Sequence, residues 1–412
     1  MTRPVLLKKR VSSGSWRNTC LFRSTLILCA DRRPVSETQQ NSDERFTKSR
    51  CDHTMRFTFD NMNNFLGRSL RLGRAAVLAV LLVSLGPCAG LAESAARVPV
   101  KVLLLPKFEI GQLTGDLSGE AQHYYDAYLK GGDRYEFPDD PELDALYVKD
   151  GVALGIVGIG KVTSALSVMR IITDPRFDFS SAYVISTGCA DSSVETTVMG
   201  DVIIVTAAVD YDMGHHIDGR QLADREAVAW FADRDFLETA CVRLDPDLIT
   251  RVYELVKDIP LETTEETRRC MSEAFKGAEW AVRSPRVQKG TTVTSDNYWK
   301  GVQGRNKALK MVKTYGCPDP YALTEMEDAA VGTALKRLGM LDHYIIVRVS
   351  VNMDEFMNNA TPESLWGDDP HSQTHSLTNE GNAEAVDIFA TAMENNFRVG
   401  RKIVDAILAG KL

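Results

Sequence analysis

Several features that would assign a function quickly are missing from this 412-residue chain. No CxxC pair and no His/Cys spacing of the zinc type occurs, and there are only 7 histidines, so a structural zinc site is not expected. Gly158-Ile-Gly160 is not a dinucleotide fingerprint, because Thr163 stands where the third glycine belongs. It reads as a tight turn joining a strand to a helix. Beyond residue 92 the longest apolar runs, 152–159 and 202–209, are strand-sized, far short of the ~20 residues that a spanning helix needs. Internal repeats and low-complexity tracts are absent. Positive charge is also short: the formal net charge of −8 argues against a nucleic-acid binder.

That net charge averages two unlike parts. Residues 1–92 carry 15 Lys and Arg against 6 Asp and Glu, net +9, while residues 93–412 carry 33 against 50, net −17. Residues 1–61 are polar and without periodicity. Arg68, Arg71 and Arg74 then precede an apolar stretch at 75–86, followed by Pro87-Cys-Ala-Gly-Leu-Ala92. A basic segment, a short apolar run and small residues are the parts of a secretory signal peptide. Residues 62–92 are therefore expected to be a signal peptide cleaved near Ala92, leaving a soluble protein in the periplasm or secreted. A retained membrane anchor fits less well, since the run is short and ends in Gly-Pro. Residues 1–61 are either a disordered extension or lie upstream of a true start at Met55 or Met62. The mature chain keeps Cys189, Cys241, Cys270 and Cys317; export permits disulfides, and four cysteines allow three full pairings.

From residue 93 onward the pattern is of continuous apolar strands alternating with helices. Strands are expected at 100–105, 152–157, 181–187 (stopping at Gly188), 202–206, around 293–294 and at 344–351. Helices are expected at 162–172, 327–338 and 385–408, the last placing Val386, Phe389, Met393, Phe397, Val404 and Leu408 on one face. Apolar strands of this kind belong to a sheet covered on both faces. The expectation is one α/β/α three-layer domain over 93–412 with a central mixed sheet. Residues 223–285, rich in Glu and Arg, read as a helical excursion outside the sheet core.

Ligands of α/β sheets sit at the carboxyl ends of strands. That rule selects Pro106-Lys-Phe-Glu109, Gly158-Ile-Gly-Lys161, Thr187-Gly-Cys-Ala-Asp191, Thr294-Ser-Asp-Asn-Tyr-Trp299 and Ser350-Val-Asn-Met-Asp354. Thr324-Glu-Met-Glu-Asp-Ala-Ala330, opening a helix, joins them. Asp210, Asp212, His215, His216 and Asp218 are the only cluster with a metal-like composition, but adjacent histidines commonly point apart, and no metal is expected there. His371 and His375 follow Gly-Asp-Asp-Pro and are read as loop residues near the pocket.

The order of these segments, with Gly200-Asp-Val-Ile-Ile-Val and Val347-Arg-Val-Ser, resembles the nucleoside phosphorylase/nucleosidase superfamily. Within it, the leader, Pro-Lys-Phe-Glu near the start and the long middle excursion are similar to the purine nucleoside permease family. The resemblance implies a nucleoside-phosphorylase-like fold, a purine nucleoside as ligand, and neither metal nor cofactor. Met326 and Glu327 would embrace the ribose, one carboxylate accepting from two adjacent hydroxyls. Tyr298 and Trp299 would stack on the base. Asn352, where many relatives carry Asp, would read the N7 and O6 edge, and Asp354 could supply a proton to a departing purine. Glu109 lies near the acid that activates water in hydrolytic relatives. Thr187, Gly188, Cys189 and Asp191 would form a loop offering backbone N–H groups to the sugar or to an anion. The arginines that hold phosphate in phosphorylases have no clear match, which lowers phosphorolysis relative to hydrolysis or plain binding.

Two functions follow from the resemblance: nucleoside binding outside the cytoplasm in support of transmembrane transport, or cleavage of the N-glycosidic bond. The partners expected are a purine nucleoside, a membrane transport partner and a second copy of the chain, with no nucleic acid.

Overall fold

The computed structural model describes residues 96–217, 230–231, 237–275, 277–356 and 383–412. The expected signal peptide, Asp218, His371 and His375 lie outside the described residues, as does the side chain of Cys270. The apolar runs of the sequence become the inner strands of one ten-stranded mixed sheet, and the polar segment 133–136 forms one edge. In chain order these are β1 (Val102–Leu105), β2 (Asp133–Glu136), β3 (Ala145–Lys149), β4 (Val152–Gly155) and β5 (Tyr183–Ser192), then β6 (Val202–Asp210), β7 (Cys241–Arg243), β8 (Val287–Thr294), β9 (Tyr321–Glu325) and β10 (Tyr344–Met353). The principal helices are α1 (Lys161–Ile172), α2 (Pro246–Val256), α3 (Glu265–Ala274), α4 (Val302–Thr314), α5 (Asp328–Leu338) and α6 (Ala383–Leu408).

The sheet runs β7-β6-β8-β9-β5-β1-β4-β3-β2, and β10 bridges β5 and β6. Strands β6, β8, β9, β5 and β10 therefore close into a ring. Closure removes sheet edges and gathers the ends of several strands around one point. Pairing is parallel for β1 with β4 and β5, for β5 with β10, and for β8 with β6 and β9. It is antiparallel where β10 meets β6 and along the β2-β3-β4 and β6-β7 edges. Helix α1 packs on α5, and α6 packs on α2, α3 and the sheet. The core these layers bury is aliphatic, led by Leu103, Leu104, Ile203, Ile204, Ile345 and Ile346.

Two expectations change. Strand β5 does not stop at Gly188 but continues to Ser192, because β10 pairs with it in parallel past that glycine. The middle excursion is not all outside the core. Its β7 joins the sheet edge, and α2 buries Leu248, Ile249, Val252 and Val256. Helix α2 is started by the Asp245 carboxylate, which accepts the Leu248 amide at 2.6 Å, an N-cap worth about 1 kcal/mol.

Candidate functional site

The chemistry collects at the carboxyl ends of β1, β4, β5, β8, β9 and β10, as the strand-end rule requires. Its centre is Arg348 of β10, only 1% exposed. The guanidinium donates from Nε to Asp328 Oδ2 and from Nη2 to Asp328 Oδ1 and Glu327 Oε2, each at 2.9 Å. Nη1 donates to the Cys189 carbonyl at 2.9 Å. Glu325 Oε2 stands 3.4 Å from Nη2, and Glu120 Oε1 stands 3.9 Å from Nη1. One planar fork thus meets an acidic run that a single turn presents, a geometry lysine cannot reproduce. Glu325 also accepts the amides of Glu327 and Asp328 at 2.7 Å each, so it caps α5 and leaves the Glu327 side chain for other work.

A second buried cation, Lys107, donates from Nζ to the Leu105 carbonyl at 2.6 Å and to Ser186 Oγ at 2.7 Å. Burial pulls its pKa down, as does the nearby Arg348. Burial pushes the Glu120 carboxyl up, against the pull of Arg348 and Lys107. Asp328 goes the other way: burial opposes ionisation, but Arg348 and Lys107 hold it below its ordinary value.

Over this web opens a cavity of about 200 Å³. Lys107, Glu120, Glu327 and Arg348 line it together with Phe108, Ile159, Met326, Val351, Cys189, Asp191, Tyr298 and Trp299. Apolar walls with a few placed polar groups are the usual make-up of a small-molecule site. Glu327, itself buried, is oriented from two sides. Arg348 holds Oε2, and the Gly160 amide donates to Oε1 at 3.1 Å. Gly160 has φ +90°, a region glycine occupies without steric cost. The Gly158-Ile-Gly160 turn therefore delivers an amide to a carboxylate. Each Glu327 oxygen keeps a lone pair for a hydroxyl donor.

The aromatic segment after β8 is held by acids. Asp212 accepts from Ser295 Oγ at 3.0 Å, from the Asp296 amide at 2.9 Å and from Asn297 Nδ2 at 3.2 Å. Asp210 and Asp212 both take Lys161 Nζ, at 2.9 and 2.8 Å. Asp210 and Asp212 of the metal-like cluster are thus engaged by Lys161 and this loop, and among the described residues no group of three ligands is arranged for a metal. Trp299 stacks face to face on Tyr211, 4.9 Å apart and 8° from parallel. Tyr298 is 52% exposed and keeps its ring available to the cavity.

Sequence comparison bears on what such a cavity serves. Residues 99–411 match the purine nucleoside permease family. The chain belongs to that family. A probable purine nucleoside permease of Schizosaccharomyces pombe is 24% identical over 277 residues, covering 61% of this chain and 74% of that protein. Among solved structures, a 5′-methylthioadenosine/S-adenosylhomocysteine nucleosidase from Neisseria meningitidis in complex with methylthio-immucillin-A is 16% identical. The match covers 74% of this chain and 99% of that one, at a TM-score of 0.43. Futalosine hydrolase of Helicobacter pylori is 14% identical, with 74% and 97% covered and a TM-score of 0.44.

In this member of the family the cavity brings together Cys189, Asp191, Tyr298, Trp299, Met326 and Glu327 from the sequence-derived set. The others stand elsewhere. Gly188 lies under Glu120, where a Cβ would collide with the carboxylate. The segment 187–191 is strand rather than an anion loop, and the Cys189 amide is already taken by Glu120 Oε1 at 2.8 Å. Asn352 is spent on the protein. Its Oδ1 accepts Lys300 Nζ and the Met353 amide at 2.9 Å each, and its Nδ2 donates to the Tyr298 hydroxyl at 2.8 Å. It positions Tyr298 and Lys300 instead of reading a base. Asp354 is fully buried outside the cavity lining, accepts the Tyr321 hydroxyl at 3.0 Å, and is pushed up to about 7 by burial.

Glu109 is not placed as a base for water. Oε1 accepts the amides of Ile110 and Gly119, and Oε2 those of Ala121 and Gln122 at 2.8 and 2.6 Å. A carboxylate so saturated organises its loop. The acid that the loop delivers to the cavity is Glu120, which sequence reasoning missed. Its only signal is an acidic residue among small ones, Ser118-Gly-Glu-Ala121. Asp191, expected to offer a backbone N–H from a loop, lies on β5; it lines the cavity, as do the acids Glu325 and Glu327.

Proposed function

We infer that this member of the purine nucleoside permease family binds a purine nucleoside in the Glu327–Tyr298 cavity, in support of nucleoside transport. The observation that carries the reading is the oriented Glu327 carboxylate, fixed by Arg348 and Gly160 beside Met326, in a cavity that Tyr298 also lines. A carboxylate in that position suits a vicinal diol, each charged hydrogen bond adding about 1.5–3 kcal/mol. Tyr298 suits the flat face of a base. No helix among the described residues is long and apolar enough to cross a membrane. The reading therefore assigns delivery to a separate membrane partner, with the mature chain acting outside the cytoplasm once its leader is removed.

A second reading, hydrolysis of the N-glycosidic bond, is favoured by Glu120. This buried acid on the cavity wall is held between the Lys107 and Cys189 amides at 2.7 and 2.8 Å. Burial raises it, toward the range in which a carboxylate works as a general base. Phosphorolysis is the weaker variant, since the cavity's arginine is already bound to carboxylates and acidic groups surround the space. Incubation with inosine, adenosine or guanosine, with and without phosphate, separates the readings. Tight binding without release of base supports transport, release without phosphate supports hydrolysis, and release only with phosphate contradicts both.

A further inference from the structure

Behind the Trp299 wall of the cavity stands a column of side chains anchored on α4. Trp299 covers one face of the Tyr211 ring at 4.9 Å. Lys307 of α4 places Nζ 3.5 Å from the centroid of the same ring; with the indole on one face, the ammonium takes the other. The Tyr211 hydroxyl donates to the Gly304 carbonyl at 3.2 Å, so α4 grips the ring at its edge and at its face, one turn apart. A Cβ at Gly304 would strike the Trp299 ring, and the indole therefore lies directly against that helix. Trp299 lines the cavity and Lys307 does not; the lysine meets the lining through Tyr211.

We propose that Lys307 is a positioning residue for ligand binding, its ammonium pressing Tyr211 onto Trp299 and so fixing the indole wall before the ligand enters. The assignment rests on the nucleoside reading of the cavity. A wall already in place spares the ligand the cost of ordering it. The hold depends on charge, because the ring face attracts a cation and not a neutral amine, and it strengthens where water is excluded. Lys307 is half-buried. Burial pulls its pKa down to about 8, opposed by Asp212 and Asp210 at the end of β6 and assisted by Lys161 of α1. His216 faces it too, with Nδ1 3.4 Å from Nζ. Burial raises the Tyr211 hydroxyl well above its ordinary value, so the ring itself stays neutral. The cation is thus present below about pH 8 and lost above it.

The test pairs near-UV circular dichroism with adenosine calorimetry on the full chain, Lys307→Arg and Lys307→Met, at about pH 7 and 9.5, with folding checked by thermal melts. Subtracting a Trp299→Phe spectrum in each background isolates the indole signal. That signal is expected to fall at the higher pH in the parent and to hold in Lys307→Arg, whose guanidinium keeps its charge. In Lys307→Met it is reduced at both. Adenosine, whose base does not titrate in this range, should bind the parent about fivefold more weakly at the higher pH. Lys307→Arg should remove that pH dependence, and Lys307→Met should bind about fivefold more weakly throughout. If adenosine binds Lys307→Met as well as the parent, or the pH step persists in Lys307→Arg, the positioning role is overturned while the nucleoside reading stands. If adenosine does not bind the parent, the nucleoside reading falls and takes the binding role with it. The dichroism then decides the hold on Trp299 by itself: a step confined to the parent upholds it, and a flat signal overturns it.

Discussion

Arg348 and Glu327 meet through a 2.9 Å contact between Nη2 and Oε2 with both side chains almost wholly out of solvent. The same guanidinium holds Asp328 through two further contacts. Removing one member of a buried ionic set is more damaging than the set is stabilising, because the remaining charges lose their compensation. Arg348→Met is expected to cost about 3–5 kcal/mol in urea unfolding. Glu327→Gln keeps the shape and removes one of several acids, so its cost should stay below about 2 kcal/mol. Equal costs for the two variants would contradict the picture of one cation serving several carboxylates.

Glu109 and Glu120 divide structure from function. Glu109→Ala leaves four backbone amides without their acceptor, and a loss of about 1–3 kcal/mol in stability is expected. Glu120→Gln should instead change nucleoside binding or turnover by more than about tenfold, with a small shift in melting temperature. Paired melts and binding isotherms check both. A stable Glu109→Ala protein that no longer binds would return Glu109 to the site.

Much of this division was readable in the sequence only in part, for physical reasons. Contiguous apolar runs such as Val102–Leu105 and Tyr344–Met353 announce buried strands, because a two-sided sheet leaves no polar face. Glu325-Met-Glu327 was legible because one turn carries the whole group. Glu120 was not, since the path of a loop depends on its anchor, here Glu109, and not on local periodicity. Gly188 misled for a related reason. Glycine usually ends a strand, but here it lets β5 continue while the Glu120 carboxylate lies against its Cα. Asn352 was found as a position but not in its role, because only the fold reveals that Lys300, Met353 and Tyr298 occupy its amide.

Stability should depend on pH through Asp354. Burial raises its carboxyl from 3.8 to about 7, so the folded state holds a proton that the unfolded chain has released. Folding stability from this group is fully present below about pH 4 and is lost as pH rises toward 7. The slope it adds is at most about 1.4 kcal/mol per pH unit. Urea titrations at about pH 5, 6 and 7 should show a steeper decline for the parent protein than for Asp354→Asn. Parallel profiles would contradict the assignment.

Cys241 of β7 and Cys317, just after α4, place their sulfurs 3.8 Å apart, within reach of the ~2.05 Å bond of a disulfide after a modest side-chain shift. Oxidised glutathione supplies the two-electron oxidant. Its disulfide is reduced to two thiols as the Cys241–Cys317 bond forms. Closing a loop of this length is expected to stabilise by about 4 kcal/mol. Alkylation followed by mass spectrometry should find both thiols protected together, and Cys317→Ser should abolish the gain. Both thiols remaining alkylatable after oxidation would sink the prediction.

The central claim is that Glu327 holds the sugar of a purine nucleoside, and calorimetric titration of the unmodified protein and Glu327→Ala with inosine tests it most directly. The account predicts saturable binding by the unmodified protein and none by Glu327→Ala, with the variant still folded in the melt. An unchanged dissociation constant in Glu327→Ala would contradict it.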